Sequence, residues 1–148
     1  MTVPAASFPP ASFPLDARVL LPHAGPMCCI DTLLASSKTG ATAEVTLVPG
    51  HSLLRGETLD GAGYVELAAQ TAGAMQGYDL YIHNLPPKPG FLVGVQDFHI
   101  HEEARAGDTL RITVALTAEL AEVSVLSAEV FRDGSLLAEG RLKVFVPE

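Results

Sequence analysis

Tryptophan is absent from the chain, and cysteine occurs only as the neighbours Cys28 and Cys29. Adjacent cysteines are poorly placed to bond to each other, so no disulfide framework holds this protein. Free thiols inside an apolar run fit a reducing compartment, and the cytoplasm is expected. Cations are scarce as well: nine Lys and Arg stand against seventeen Asp and Glu, a net charge of -8. Affinity for a phosphate backbone comes mainly from clustered cations, and none cluster here, which excludes general nucleic-acid binding. No apolar run reaches the ~18 residues a membrane span requires. Residues 1–14 lack the basic start and apolar core of a secretory signal. No self-similarity recurs at the period of a solenoid.

What is present describes one compact unit. The 148 residues are 48% apolar and 18% charged, and a domain of this size buries roughly 68–70% of its unfolded surface. Six of the eleven prolines fall in the first 26 residues, where Ala6-Ser7-Phe8-Pro9 is echoed by Ala11-Ser12-Phe13-Pro14. Residues 1–16 therefore read as a Pro-rich arm, either a flexible leader or an extended segment lying on the body or a partner through Phe8 and Phe13. Residues 17–148 form the single domain.

Within that domain Met27 to Ala35 is strand-like, and Thr42 to Val48 alternates polar and apolar residues, with Lys38-Thr39-Gly40 as the turn between them. From Asp60 to His83 the chain has no proline and carries apolar or small side chains on nearly every face. This predicts a buried helix with Asp60 as N-cap. Four strand-like runs follow, Phe91–Glu102, Thr109–Thr117, Glu122–Arg132 and Leu136–Val146, the last two joined by the hairpin signal Asp133-Gly134. An antiparallel sheet must bury its apolar face, and a helix apolar all round must be covered. The predicted fold class is α+β, a sheet of about six strands curled around one long buried helix.

Two residues stand out chemically. Glu66 lies early in a helix with almost no other charge, and a carboxyl there is expected to be paired or functional. His51 lies in the loop ahead of it, where an imidazole can act as a base. The amides of Gly61, Ala62 and Gly63 at the helix start offer N–H groups to a developing oxyanion. Gln70, one turn beyond Glu66, is placed to orient it. The alternative is that Glu66 is only an acid favoured by the helix dipole. His99, His101 and Glu103 alternate on one strand face, but nothing completes a metal site, so none is expected. Gly61-Ala62-Gly63 lacks the spacing of a dinucleotide loop, and no cofactor is expected.

In order along the chain, Leu21-Pro22-His23-Ala24-Gly25-Pro26-Met27, Gly50-His51, Glu66-Leu67-Ala68-Ala69-Gln70, Gly94-Val95 and Ala106-Gly107-Asp108 resemble the hot-dog-fold 3-hydroxyacyl-[acyl carrier protein] dehydratases. The likeness is to the divergent aryl-polyene-type branch and covers about residues 18 to 146. It implies a homodimer, or a dimer-based oligomer, with sites at the subunit interface. It implies that a 3-hydroxyacyl thioester loses water to give the trans-2-enoyl thioester, in fatty-acid or polyene-type lipid synthesis. His51 would take the α-proton, Glu66 would protonate the departing hydroxyl, and an amide near Gly61 to Gly63 would hold the thioester carbonyl. His23, in the Leu-Pro-His stretch, is the second candidate for the base. The implied partner is an acyl carrier protein or a coenzyme A thioester, met by cations among Arg18, Arg55, Lys88 and Arg105. Ala69, Ala72 and Gly73 would set the width of an acyl tunnel. A thioesterase on the same fold and a non-catalytic acyl-binding subunit are the alternatives.

Overall fold

The computed structural model describes residues 13–147. Nine strands and one long helix follow in the order β1 (Leu15–Asp16), β2 (Thr32–Ser36), β3 (Gly40–Thr46), β4 (Leu54–Arg55), β5 (Thr58–Leu59), α1 (Gly61–Ile82), β6 (Phe91–Ile100), β7 (Thr109–Leu120), β8 (Val123–Arg132) and β9 (Ser135–Phe145). Seven of the strands form one antiparallel sheet, ordered β1-β2-β3-β7-β8-β9-β6, and β4 with β5 forms a small separate hairpin. The sheet wraps α1 as the hydrophobic pattern requires. On β3, Ala41, Ala43 and Val45 turn to the core, and on β7 so do Leu110, Ile112 and Val114, the period-two alternation of strands with one buried face. Asp133 and Gly134 both adopt positive φ, 51° and 82°, the two-residue turn that matches the twist of a hairpin.

The sheet of about six strands expected around the helix is present with seven, the short β1 being made by Leu15 and Asp16, from the stretch expected as an arm, pairing with Leu33 and Thr32. Phe13, also in that stretch, stacks on Tyr78 with ring centroids 5.1 Å apart. Phe8 lies outside the described residues. One expectation is corrected: the strand expected from Met27 begins only at Thr32. Gly25–Met27 is a 3-10 turn, and Cys29 gives its N–H to the Gln70 side chain instead of to a neighbouring strand. Asp60 is the N-cap residue of α1 as expected, though its side chain makes no capping hydrogen bond; the carboxylate faces Arg55 at 3.9 Å.

The sheet covers one side of α1, and residues 17–29 cross the other. Leu20 and Leu21, both buried, sit against Gly77 and Gly73, where a Cβ on Gly77 would lie 1.9 Å from the Leu20 carbonyl oxygen. Near the helix start, the buried Tyr64 hydroxyl accepts from the Ala104 N–H at 2.8 Å and donates to the Glu102 carbonyl at 3.3 Å. It holds the loop between β6 and β7 against the helix.

That loop is also braced by Asp108, whose Oδ2 accepts from the Arg105 N–H and from Arg132 Nη1, both at 2.8 Å. Burial alone would raise the Asp108 carboxyl, but these donors outweigh it and hold the group below its ordinary 3.8. A carboxyl lowered by folding stabilises the native state above its unfolded value, and the contribution is lost as pH falls through the folded value. We expect Asp108→Asn to cost about 1–3 kcal/mol near neutral pH. Its Tm should then fall less than that of the wild type on acidification from about pH 6 to about pH 3, as thermal melts would show; parallel losses would contradict the assignment.

Candidate active site

A cavity of about 550 Å³ opens at the N-terminal end of α1, walled by Met27, Cys29, Ser52, Arg55, Gly63 and Glu66 among others. Each wall has a structural origin. The 3-10 turn brings Met27 and Cys29 over the helix, the loop after β3 brings Ser52, and the β4–β5 hairpin brings Arg55.

Glu66 is half-buried, and Gln70 holds it from one helical turn away: Gln70 Nε2 donates to Glu66 Oε1 at 2.9 Å and to the Met27 carbonyl at 2.8 Å. Gln70 Oε1 accepts from the Cys29 N–H at 2.7 Å. The amide orientation follows from its backbone partners, since a flipped carboxamide would set N–H against N–H and oxygen against oxygen. Gln70 is 1% exposed, and its partners fill its hydrogen-bonding capacity on this side of the helix. Because Oε1 of Glu66 accepts, a proton on this carboxyl belongs on Oε2.

His51 is tied down at both ring nitrogens. Nδ1 accepts from the Leu53 N–H at 3.1 Å, and Nε2 lies 3.0 Å from the Cys29 carbonyl. An amide can only donate and a carbonyl can only accept, so the ring is the Nε2–H tautomer with its one lone pair engaged. His23 differs. It is half-buried, and its Nδ1 is buried with no hydrogen-bond partner among the described residues. His23 sits on the crossing segment between Leu21, which meets α1 at Gly73, and Met27, which meets it at Gln70, and it is not on the cavity wall.

Of the helix-start residues, Ala62 and Gly63 line the cavity. The Gly63 N–H is taken by the Asp60 carbonyl at 2.8 Å, whereas the amides of Gly61 and Ala62, first in the helix, have no intrahelical acceptor. The structure thus brings Glu66, Ala62 and Gly63 to one cavity, connects Gln70 to it through Glu66 and His51 through Cys29, and leaves Gly61 and His23 off its wall. Ala72 instead lines a second cavity, about 620 Å³, beside Met75 and Tyr78 in the C-terminal half of α1.

Sequence reasoning missed Cys29 and Ser52. Cys29 Sγ is 3.6 Å from Ser52 Oγ, which donates to the Pro26 carbonyl at 2.7 Å. Burial first, and the nearby Glu66 charge, push the Cys29 thiol up against the opposing bond to Ser52. It remains a thiol rather than a nucleophilic thiolate. The cations chosen for a carrier are mostly engaged: Arg18 meets Asp16 at 2.7 Å, Arg105 meets Glu103 at 3.5 Å and Arg55 meets Asp60 at 3.9 Å. Lys88 forms no ion pair among the described residues. His101 pairs with Glu139 at 2.9 Å, and among the described residues no group of three His, Cys, Asp or Glu could hold a metal. No helix of the described residues is long and apolar enough to cross a membrane.

The ApeP-like family, described as ApeP dehydratase, matches residues 15–148. A 3-hydroxyacyl-[acyl-carrier-protein] dehydratase FabZ of Syntrophotalea carbinolica is 26% identical over 145 residues, covering 90% of this chain and 94% of its own length. The FabZ of Solibacter usitatus is 24% identical over 135 residues, 86% of this chain and 80% of that one. The dehydratase heterocomplex ApeI:P of Xenorhabdus doucetiae contains a chain that superposes with a TM-score of 0.83 at 22% identity, covering 90% of this chain and 92% of that one. Protein PH1136 of Pyrococcus horikoshii shares the fold at a TM-score of 0.62 and 14% identity, over 93% and 96% of the two chains.

Proposed function

The chain belongs to the ApeP-like dehydratase family, a hot-dog-fold enzyme of the 3-hydroxyacyl-thioester dehydratase kind, and from that premise we propose that Glu66 is its proton donor and that a histidine, His51 or His23, is its base. In the reaction the base takes a proton from C2, the C–H electron pair becomes the C2=C3 bond, and the C3–O bond breaks. The hydroxyl leaves as water with a proton from the carboxyl. The observation that carries this reading is the Gln70 clamp, which leaves Glu66 Oε2 as the atom for the mobile proton. The amides of Gly61 and Ala62, which have no intrahelical acceptor, are suited to the thioester oxygen, where charge grows as the α-proton leaves. His51 meets the cavity through Cys29, with both ring nitrogens held by backbone groups, whereas His23 stands off the cavity wall and its Nδ1 has no partner among the described residues.

A dimer fits the same geometry. Among the described residues the edge strand β6 is paired on one side only, by β9, with Phe91, Val93, Val95 and Ile100 each more than two-fifths exposed, and an uncovered edge of this kind invites a second strand. A Cβ on Gly61 would lie 3.7 Å from Ile100, so a partner seated on β6 would stand beside the helix start and its cavity. That partner is a second copy or a related dehydratase subunit. We take the substrate carrier to be an acyl carrier protein, met at the cavity mouth by Arg55, and we place the protein in the cytoplasm.

The reading is tested by incubating the purified protein with 3-hydroxyacyl and trans-2-enoyl thioesters and following the enoyl absorbance in both directions. Interconversion is expected, without release of free thiol. One of His51→Ala and His23→Ala should lower kcat by ~10²-fold or more while the other keeps most of the activity, which identifies the base. Thiol release without interconversion would transfer the site to thioester hydrolysis. No turnover, or full activity in both variants, would overturn the assignment.

A further inference from the structure

We infer that Ser52 accepts a hydrogen bond from the substrate's 3-hydroxyl group and thereby sets the configuration at C3 on which the site acts. The inference rests on the dehydratase reading of the cavity, and it holds for either histidine as the base. Ser52 follows His51 on the loop after β3, and the backbone is fixed around it: the His51 N–H donates to the Val48 carbonyl at 2.9 Å, and the Leu54 N–H to the His51 carbonyl at 3.0 Å. The side chain is fixed as well. Its one proton goes to the Pro26 carbonyl at 2.7 Å, and a hydroxyl whose proton is committed keeps two lone pairs and nothing else to give. Cys29 Sγ, 3.6 Å away, therefore meets Ser52 as the donor, and one thiol proton fills at most one of those lone pairs. Ser52 is exposed on the cavity wall. It presents there an oxygen that accepts and does not donate.

The substrate needs such an acceptor. A 3-hydroxyl has one proton to give and two lone pairs to receive with. To leave as water it must receive from Glu66 Oε2; turned the other way it donates to the carboxyl, and no proton reaches the departing oxygen. A second acceptor on the wall removes the wrong orientation. Arg55 and Asp60 face each other at 3.9 Å, whereas Ser52 Oγ is joined to Glu66 through Cys29, whose Sγ lies beside it and whose N–H binds the Gln70 that holds Glu66. The hydroxyl is then held at its proton by Ser52 and at a lone pair by Glu66. Two contacts on this oxygen, with the thioester carbonyl at the helix start, distinguish the two configurations at C3. In the reverse direction the entering water gives one proton to the Glu66 carboxylate and hydrogen-bonds through the other to Ser52, so its lone pair meets one face of the enoyl group. The C3–O bond forms, the π pair takes a proton at C2 from the base, and Ser52 keeps its own proton throughout.

The experiment uses the pantetheine thioesters of both enantiomers of 3-hydroxyoctanoate, of trans-2-octenoate and of octanoate, with the wild type, Ser52→Ala, Ser52→Thr and Ser52→Cys, each with its thermal melt. The wild type is expected to dehydrate one enantiomer and to hydrate the enoyl thioester to that same enantiomer. Ser52→Ala should lose ~10–100-fold in kcat/KM for the favoured enantiomer and little for the other, so that their ratio falls by at least ~5-fold. Hydration should slow by the same factor as the favoured dehydration, because the equilibrium constant belongs to the substrates alone. The octanoyl thioester has no hydroxyl, and its inhibition constant should stay within about twofold. Ser52→Thr keeps the oxygen and should restore the ratio, whereas Ser52→Cys keeps the size but offers only a weak acceptor and should behave as Ser52→Ala. An unchanged enantiomer ratio in Ser52→Ala would overturn the inference, as would an equal loss of affinity for the octanoyl thioester, since a Ser52 that only holds the loop moves all these ligands alike. Should Ser52→Ala fail to fold, Ser52→Cys decides. A wild type that acts on both enantiomers equally overturns this inference and leaves the dehydratase reading standing. One that interconverts none of these thioesters counts against that reading and takes the inference with it.

Discussion

Glu66→Gln should leave the protein folded and lower kcat/KM for dehydration by ~10²–10⁴-fold, the range that general acid catalysis contributes. The substitution is nearly isosteric, and the carboxamide oxygen of residue 66 can still accept from Gln70 Nε2, which donates there at 2.9 Å in the native protein. The clamp therefore survives while the atom facing the cavity becomes an NH₂ group, which cannot give up a proton to a departing hydroxyl. Enoyl hydration followed by absorbance measures the reverse reaction and should fall by the same factor, because both directions cross one transition state. A Tm unchanged within a few degrees would separate chemistry from folding. Activity above about a third of wild type would remove Glu66 from the reaction, since a true proton donor is worth far more than threefold.

The second large effect is on stability. Gly77→Ala would place a methyl 1.9 Å from the Leu20 carbonyl oxygen and 2.9 Å from its carbon, and these are backbone atoms that cannot rotate aside. Alanine ordinarily favours a helix over glycine, so the sign of the expected change runs against propensity. The helix and the crossing segment must separate, at a cost of ~3 kcal/mol or more. For a domain of this size that amounts to a fall in Tm of roughly 6–12 °C. Gly73→Ala is the control: there the new methyl meets, among the described residues, Leu21 Cδ2 at 3.2 Å, the end of a side chain that has to give by only a few tenths of an ångström rather than a fixed backbone atom. Equal melting temperatures for Gly77→Ala and Gly73→Ala would contradict this account of the interface.

Local signals explain what could be foreseen. Asp133-Gly134 announces its hairpin because the turn needs two residues that tolerate positive φ. The helix and its Glu66–Gln70 pair are legible because residues four apart share a face. The two-residue strand β1 escaped notice because Leu15-Asp16 has no pattern of its own and becomes a strand only by pairing with β2. The engagement of His51 was hidden for the same reason. Its carbonyl acceptor comes from Cys29, on a segment delivered by a 3-10 turn that the β-like run Met27 to Ala35 disguised. From the sequence, His51 and His23 are both candidate bases, and their different hydrogen-bond settings are visible only in the structure.

The apolar or small side chains on nearly every face of α1 have one further consequence. An amphipathic helix is kept from spinning by its own water-facing side, but this one gains almost nothing from any particular azimuth. Its angular setting has to come from a few discrete stops: the Tyr64 hydroxyl against the loop at Ala104, the Gln70 amide against Met27 and Cys29, and Gly77 beneath Leu20. Slipping by a single residue would swing Glu66 through ~100° about the helix axis and turn its carboxyl from the cavity into packed side chains. The helix behaves as a keyed shaft, and the aim of the carboxyl is stored in its keys.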